Sequence, residues 1–262
     1  MSAVEYGRRS WVRAVLIAGF VFLYFPILSL IAFSFNDSKR NIAWRGFTWA
    51  YYEKAWANDA LHQALANSLI VAGCTTLVAT VLGTMLGVSL HRYRFRGKGA
   101  FESWTYLPIV VPEVCLGVAM MAFFAAIRLP LGLTTVIISH IAFSIPFAAV
   151  VIRARMASLD ITLEDAARDL GAGRWQCFRD VTLPHLMPGV VAAALLVATL
   201  SLDDFVITFF TSGPGATTLP IKIYSMVRFS VTPEVNAAST VLIMLTVILV
   251  LAAVTVQAKW RR

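Results

Sequence analysis

The chain has 262 residues, of which 59% are hydrophobic and only 14% charged. A water-soluble domain carries about 25% charged residues, so this composition excludes an ordinary soluble protein and makes lipid the solvent of most of the chain. The net charge of +8 does not point to nucleic acid, because the basic residues sit in short runs between apolar stretches, as loops facing anionic lipid and cytoplasm do.

A helix needs about 20 apolar residues to cross the hydrocarbon core. Six stretches qualify, at about 12–35, 66–90, 104–127, 133–152, 186–210 and 236–257. Runs this long are helices rather than short alternating barrel strands. Arg8, Arg9 and Arg13 before the first run resemble a signal peptide. The run is too long for one, no clear cleavage site follows, and the sequence predicts a retained span. Trp44, Trp49, Tyr51, Tyr52 and Trp56 precede the second run. They suit an interfacial segment and equally suit ordinary loop packing. Cys74, Cys115 and Cys177 have the spacing of neither a metal site nor a disulfide framework, and are read as unpaired thiols.

Fifteen of the 22 Lys and Arg lie at the two termini and in segments 91–103 and 153–185; seven lie in 36–65, at Arg128 and in 211–235. The excess places both termini, and the loops after spans two and four, in the cytoplasm.

The loop between spans four and five is the longest on that side. It reads Asp160-Ile-Thr-Leu-Glu-Asp-Ala-Ala-Arg-Asp-Leu-Gly171. Thr162 with Asp165 three residues on predicts a capped helix start, and Gly171 a stop. Glu164 and Arg168 are four apart and can pair on one face. A second short helix is expected from about Arg174 to Asp180, with Pro184 ending it before span five. A capped helix with the small surface of Ala166 and Ala167 can dock into a groove on a cytoplasmic partner. A solvated amphipathic loop fits the same residues.

Asp165-Ala166-Ala167, Gly171 and Val181-Thr-Leu183-Pro184, with nine residues between Gly171 and Val181, resemble the signature of importer-type ABC permeases. Asp165 stands where that family usually has Glu, and Val181 where it has Ile. The resemblance implies an all-α, six-span type I ABC importer permease (MetI-like) fold. It divides the chain into an N-terminal span and first outer loop at 1–61, a permease core at 62–254 and a basic tail at 255–262. It makes 162–171 a coupling helix. Asp165, Ala166, Ala167 and Gly171 would contact a dimeric ATPase on separate chains, and Leu183 and Pro184 would fix the entry into span five. ATP and Mg would bind on that partner, since this sequence has no phosphate-binding loop of the Gly-x4-Gly-Lys type. No cofactor, metal or catalytic residue of its own is expected.

The spans hold three acids, Glu113, Asp203 and Asp204, and no Lys or Arg in their central parts. A carboxylate at mid-bilayer costs at least about 2.5–3.5 kcal/mol on insertion scales. Such groups are expected to face the bundle interior or a watered path. Pro108 and Pro112 flank Glu113 and can open the backbone there. The Asp pair lies about 23 Å past Pro188 at 1.5 Å per residue. The acids are therefore expected at different depths, like steps for a cation. Asp203 capping a broken helix fits as well, and adjacent residues point about 100° apart, so one Asp is expected to face the path. Tyr106, Phe143, Phe205 and Phe209 are candidate rings for cation–π contact.

Ser201-Leu-Asp-Asp-Phe, Ser212-Gly-Pro-Gly-Ala-Thr-Thr-Leu-Pro220, Ile221-Lys-Ile-Tyr-Ser-Met-Val-Arg228, Pro233-Glu-Val-Asn-Ala237, Ser34-Phe-Asn36 and Tyr93-Arg-Phe-Arg-Gly97 resemble the second permease of spermidine/putrescine importers. That resemblance implies polyamine import across a bacterial inner membrane. It adds a second, related permease and a periplasmic polyamine-binding protein as partners, the latter received near Ser212–Pro220. Rival readings are an importer of another solute, a cation-coupled secondary transporter using the same acids, and a membrane enzyme. The last lacks a catalytic constellation, and His140, alone in span four, is read as a satisfied polar contact.

Overall fold

The computed structural model describes residues 10–38, 43–229 and 233–260, and among them the backbone is helical apart from loops and one isolated antiparallel bridge, Asn36–Phe47. Arg8, Arg9, Lys39, Arg40, Arg261 and Arg262, which enter the charge count above, lie outside the described residues. Among the described residues, five helices are long and apolar enough to cross a membrane, or six if one sharply bent pair forms a single span. The chain divides into two compact units, residues up to 59 with 223–243, and 60–222 with the residues from 244 on.

In the first unit, helix α1 (Ser10–Phe33) is apolar on every side and none of its span is covered by this chain. A helix of that kind either lies in a core or faces lipid. The loop after it is tied by Asn36, which is fully buried. Its Nδ2 donates to the Ala43 carbonyl at 2.8 Å, and its Oδ1 accepts from the Arg45 amide at 2.8 Å. Phe35 meets Phe47, Trp49 and Tyr52 with ring centroids 4.9–5.3 Å apart. Loop packing therefore accounts for Trp49 and Tyr52, whereas Trp56 is 76% exposed. Tyr52 stands on helix α2 (Ala50–Trp56).

The second unit holds most of α3 (Asp59–Arg92), then α4 (Lys98–Val110), α5 (Glu113–Ala126) and α6 (Leu133–Met156). It continues through α7 (Ile161–Asp169), α8 (Arg174–Cys177), α9 (Leu183–Asp203) and α10 (Val206–Thr211). Helices α11 (Leu219–Phe229) and α12 (Pro233–Trp260) are divided between the two units. The 34 residues of α3 span about 51 Å at 1.5 Å each, far more than the expected 66–90 segment. Its Gly83 and Gly87 seat directly on α6. A Cβ at Gly83 would lie 2.4 Å from Ala148 Cβ, and one at Gly87 2.8 Å from the Ala149 carbonyl oxygen. Lipid supplies no hydrophobic drive between helices, so close approach over small residues is what holds them. Ala79 on α3, Ala148, Ile152 and Met156 on α6, and Leu186, Ala193 and Val197 on α9 form the buried core.

Two expected spans are broken. Span three is α4 and α5, bent by 107°. Val111, between them, is extended (φ −72°, ψ 134°), because the ring of Pro112 disfavours a helical residue before it. Span five begins earlier than expected. Phe178–Thr182 forms a π-helical turn that joins α8 to α9 without a stop. Pro184 does not end a helix; it sits in the first turn of α9, directly after the π-helical turn. At the other end α9 breaks at Asp204 (φ −62°, ψ 124°), and α10 starts afresh.

Enlarging Gly83 tests the packing. Gly83→Val is expected to destabilise the detergent-solubilised protein by about 1–3 kcal/mol or more through overpacking. Gly73→Ala, where a new Cβ meets nothing within 4 Å, should leave the unfolding midpoint unchanged or raise it slightly.

Candidate functional site

The two helix breaks meet. Helix α10 packs on α5, and a Cβ at Gly117 would come within 2.7 Å of the Phe210 ring. At the break after α9, Asp204 is the residue that reconnects the chain. Its Oδ2 accepts from the Thr208 amide at 2.8 Å and from Thr208 Oγ1 at 2.7 Å, and its Oδ1 from the Ile207 amide at 3.3 Å. These bonds satisfy donors that the start of α10 would otherwise leave unpaired. His140 of α6 completes the knot. Its Nε2 lies 2.8 Å from Thr208 Oγ1 and 3.2 Å from Asp204 Oδ2, and its Nδ1 lies 2.8 Å from Ser201 Oγ. Thr208 spends its proton on Asp204, so Nε2 donates to this pair, while Nδ1 bonds the Ser201 hydroxyl. His140 is thus a satisfied polar contact, and the helix-capping role considered for Asp203 belongs to Asp204.

Asp203 and Glu113 are exposed. Glu113 is the first residue of α5, where a negative charge complements the helix dipole. Asp203 feels the charges of both Glu113 and Asp204. Glu113 and Asp203 thus stand at the two breaks that the packing of α10 on α5 brings together. Of the candidate rings, Phe209 is 52% exposed beside Phe205, at a centroid distance of 5.6 Å. Phe143 is buried against Phe147. The Tyr106 hydroxyl accepts from Arg153 Nη1 at 3.2 Å.

The segment before α11 is pinned to α3. Asn67 Nδ2 donates to the carbonyls of Gly215 and Thr217, both at 2.9 Å, and Ser68 Oγ accepts from the Leu219 amide at 2.8 Å. Gly213 lies so close to the Leu131 carbonyl that a Cβ there would be 1.9 Å from its oxygen. No side chain larger than hydrogen fits that turn.

Helix α7 forms where the sequence predicts a helix, but with a different cap. Asp160 is extended, and its Oδ1 accepts from the Thr162 amide at 3.0 Å. That bond holds the Asp160 carboxyl below the usual carboxylate range. Thr162 is already inside the helix, so the expected Thr162–Asp165 box does not form; Asp165 pairs instead with Arg168 at 3.0 Å. Gly171, at φ +88°, ends the helix in the left-handed conformation that only glycine adopts readily. Asp165, Ala166 and Gly171 are exposed, Ala167 and Leu183 half-buried and Pro184 exposed. Leu163 and Leu170 also stand in the open, 51% and 90% exposed.

Glu164 was not among the predicted site residues. It is 4% exposed and pairs with Arg92 at the end of α3. It also accepts from Thr182 Oγ1 at 2.5 Å. Its pairing with Arg168, read from the four-residue spacing, is present at 3.7 Å. No local pattern announces Arg92 or Thr182 as partners.

The His140 knot predicts a contrast. His140→Leu is expected to cost about 1–3 kcal/mol by orphaning buried polar groups, read as a lower Tm of the solubilised protein. Asp203→Asn, at an exposed position, should change stability by less than about 0.5 kcal/mol.

Residues 79–261 match the family described as "Binding-protein-dependent transport system inner membrane component". The spermidine/putrescine transport system permease protein PotC of Escherichia coli (strain K12) is 39% identical over 234 residues, covering 89% of each chain. The putrescine transport system permease protein PotI of the same strain is 40% identical over 243 residues, covering 90% of this chain and 86% of that one. Among solved structures, a chain of a bacterial ABC transporter involved in import of the acidic polysaccharide alginate superposes with a TM-score of 0.75. It covers 96% of both chains at 18% identity, which shows a shared fold. With a matching family over most of its length, relatives at this identity and the fold of an ABC importer permease, the chain belongs to the inner-membrane components of binding-protein-dependent transport systems and is a multi-pass membrane protein.

Proposed function

We propose that this chain is the permease subunit of an ATP-driven polyamine importer, with putrescine and spermidine as the substrate class. The observation that carries the reading is the pair of exposed carboxylates, Glu113 and Asp203, at two adjoining helix breaks, with the paired rings of Phe205 and Phe209 next in the chain. Ammonium groups pair with carboxylates and rest on ring faces, while methylene segments lie against apolar surface. The relatives named for polyamines are similar over nearly the whole chain. Asp204, occupied by Thr208 and His140, acts in this reading by holding the break open so that Asp203 faces the path.

The rest of the cycle follows the family's logic. The termini and α7 lie in the cytoplasm, as the distribution of Lys and Arg implies. A dimeric ATPase on separate chains carries ATP and Mg and receives the exposed surface of Asp165, Ala166, Ala167 and Gly171. Leu183 and Pro184 set the entry into α9. A second, related permease supplies the other half of the path. A periplasmic amine-binding protein docks near the pinned turn at Ser212–Pro220. Nucleotide binding and hydrolysis bias a two-state equilibrium between outward-facing and inward-facing forms.

Uptake of labelled putrescine and spermidine into proteoliposomes holding all subunits tests this. Glu113→Gln and Asp203→Asn should each lower kcat/KM roughly 10–100-fold, as expected for a charged hydrogen bond worth about 1.5–3 kcal/mol. If both variants assemble and transport like the wild type, the amine path runs elsewhere. Uptake that persists without the ATPase would make the protein a secondary transporter instead.

A further inference from the structure

Helix α7 has nine residues, and little apolar packing holds it. Among its described side chains only Glu164 is buried, while Leu163 points into the open and Leu170, just past its end, is 90% exposed. What fastens it is polar. Glu164 Oε1 is the meeting point of three elements: it pairs with Arg92 Nη2, the last residue of α3, and accepts from Thr182 Oγ1 at 2.5 Å. Arg92 Nη2 also donates to Thr182 Oγ1 at 3.0 Å, which closes a triangle. Thr182 is fully buried and is the last residue of the π-helical turn that opens α9. Cys177 Sγ lies 3.8 Å from the Glu164 carbonyl oxygen and seals the same corner.

We infer that Glu164 is a positioning residue that locks α7 to the adjoining ends of α3 and α9 at once, so that a displacement of α7 moves both membrane helices together. The inference rests on the functional reading above, in which α7 receives a push from an ATPase. Three features make the triangle suited to this task. Its bonds are directional, so it resists sliding in a way that a greasy contact over Ala166 does not. It is shielded from solvent on the Glu164 side, where charge pairing is weakly screened. Its third corner sits in a π-helical turn, a local distortion that occurs mostly as single turns and often at functional positions in helices. Asp165, one residue along, is exposed and remains available for a partner. The two adjacent acids thus divide the work: one faces outward for docking, the other inward for transmission.

The test uses the complete transporter in proteoliposomes, with labelled putrescine and the binding protein, and measures amine imported per ATP hydrolysed. Glu164→Gln keeps shape and loses the charge; Thr182→Val keeps shape and loses the hydroxyl. In both, the ATPase chain should still co-purify, and import per ATP should fall about 5–10-fold. Arg92→Gln should match Glu164→Gln, and the double variant should be no worse than either single one, since residues in one network are not additive. Wild-type import per ATP in Glu164→Gln and Thr182→Val would overturn the inference and leave the transport reading standing. So would additive losses at Arg92 and Glu164, or failure of both conservative variants to assemble, which would make the triangle merely structural. Absence of ATP-driven import by the wild-type complex would remove the functional reading and this inference with it.

Discussion

A helix interrupted inside a bilayer leaves backbone donors and acceptors that water cannot reach, and each must find a partner within the protein. That constraint governs the centre of this structure. The interruption after α9 is tolerable because Asp204 turns its carboxylate back onto the start of α10, and because His140 and Thr208 use the remaining hydrogen-bonding capacity of the corner. Once this corner is satisfied, Asp203 is left exposed. The two adjacent Asp residues divide into one that makes the break stable and one that the break exhibits. The interruption between α4 and α5 is simpler. Pro112 lacks an N–H and holds Val111 extended, so the chain turns and Glu113 begins a new helix.

Around these breaks the bundle is assembled by small residues. Gly83 and Gly87 on α3 meet Ala148 and Ala149 on α6 with no room for a side chain, and Gly189 on α9 lies against the stem of Arg155. In lipid, where apolar surface gains nothing by leaving its solvent, such close fits and the polar knots supply the specificity that a hydrophobic core gives a soluble protein. The exposed apolar faces of α1, α3 and α12 are then the surfaces that lipid or further subunits cover.

The short helices between α6 and α9 follow a different economy. Helix α7 shows Leu163 and Ala166 outward among the exposed charges of Asp165, Arg168 and Asp169, and turns one charge, Glu164, inward. Outward Ala166, Leu163 and Leu170 make sense as a face awaiting a partner. Inward Glu164 makes sense only because Arg92 and Thr182 are there to receive it, since a buried carboxylate without partners would be costly. One turn of helix thus carries both an exposed small surface at Ala166 and a buried anchor at Glu164.

Much of this could be read from the chain itself. Apolar runs of about 20 residues with basic segments between them mark the membrane class, and Ala166-Ala167, Gly171 and Leu183-Pro184 at their spacing resemble the signature of the family to which the chain belongs. Pro112 and Gly171 mark a break and a stop through backbone rules that hold wherever those residues occur. Pro184 misled, because a proline that ends one helix and a proline that starts another look alike in sequence. Which acids turn inward was decided only by tertiary structure. Neighbouring positions on a helix differ by about 100° in direction, and the groups that select between them come from far along the chain. His140, which meets Asp204, and Arg92, which meets Glu164, are separated from those partners by 64 and 72 residues of sequence. A local pattern carries no record of such distant pairings, which exist only once the helices have packed.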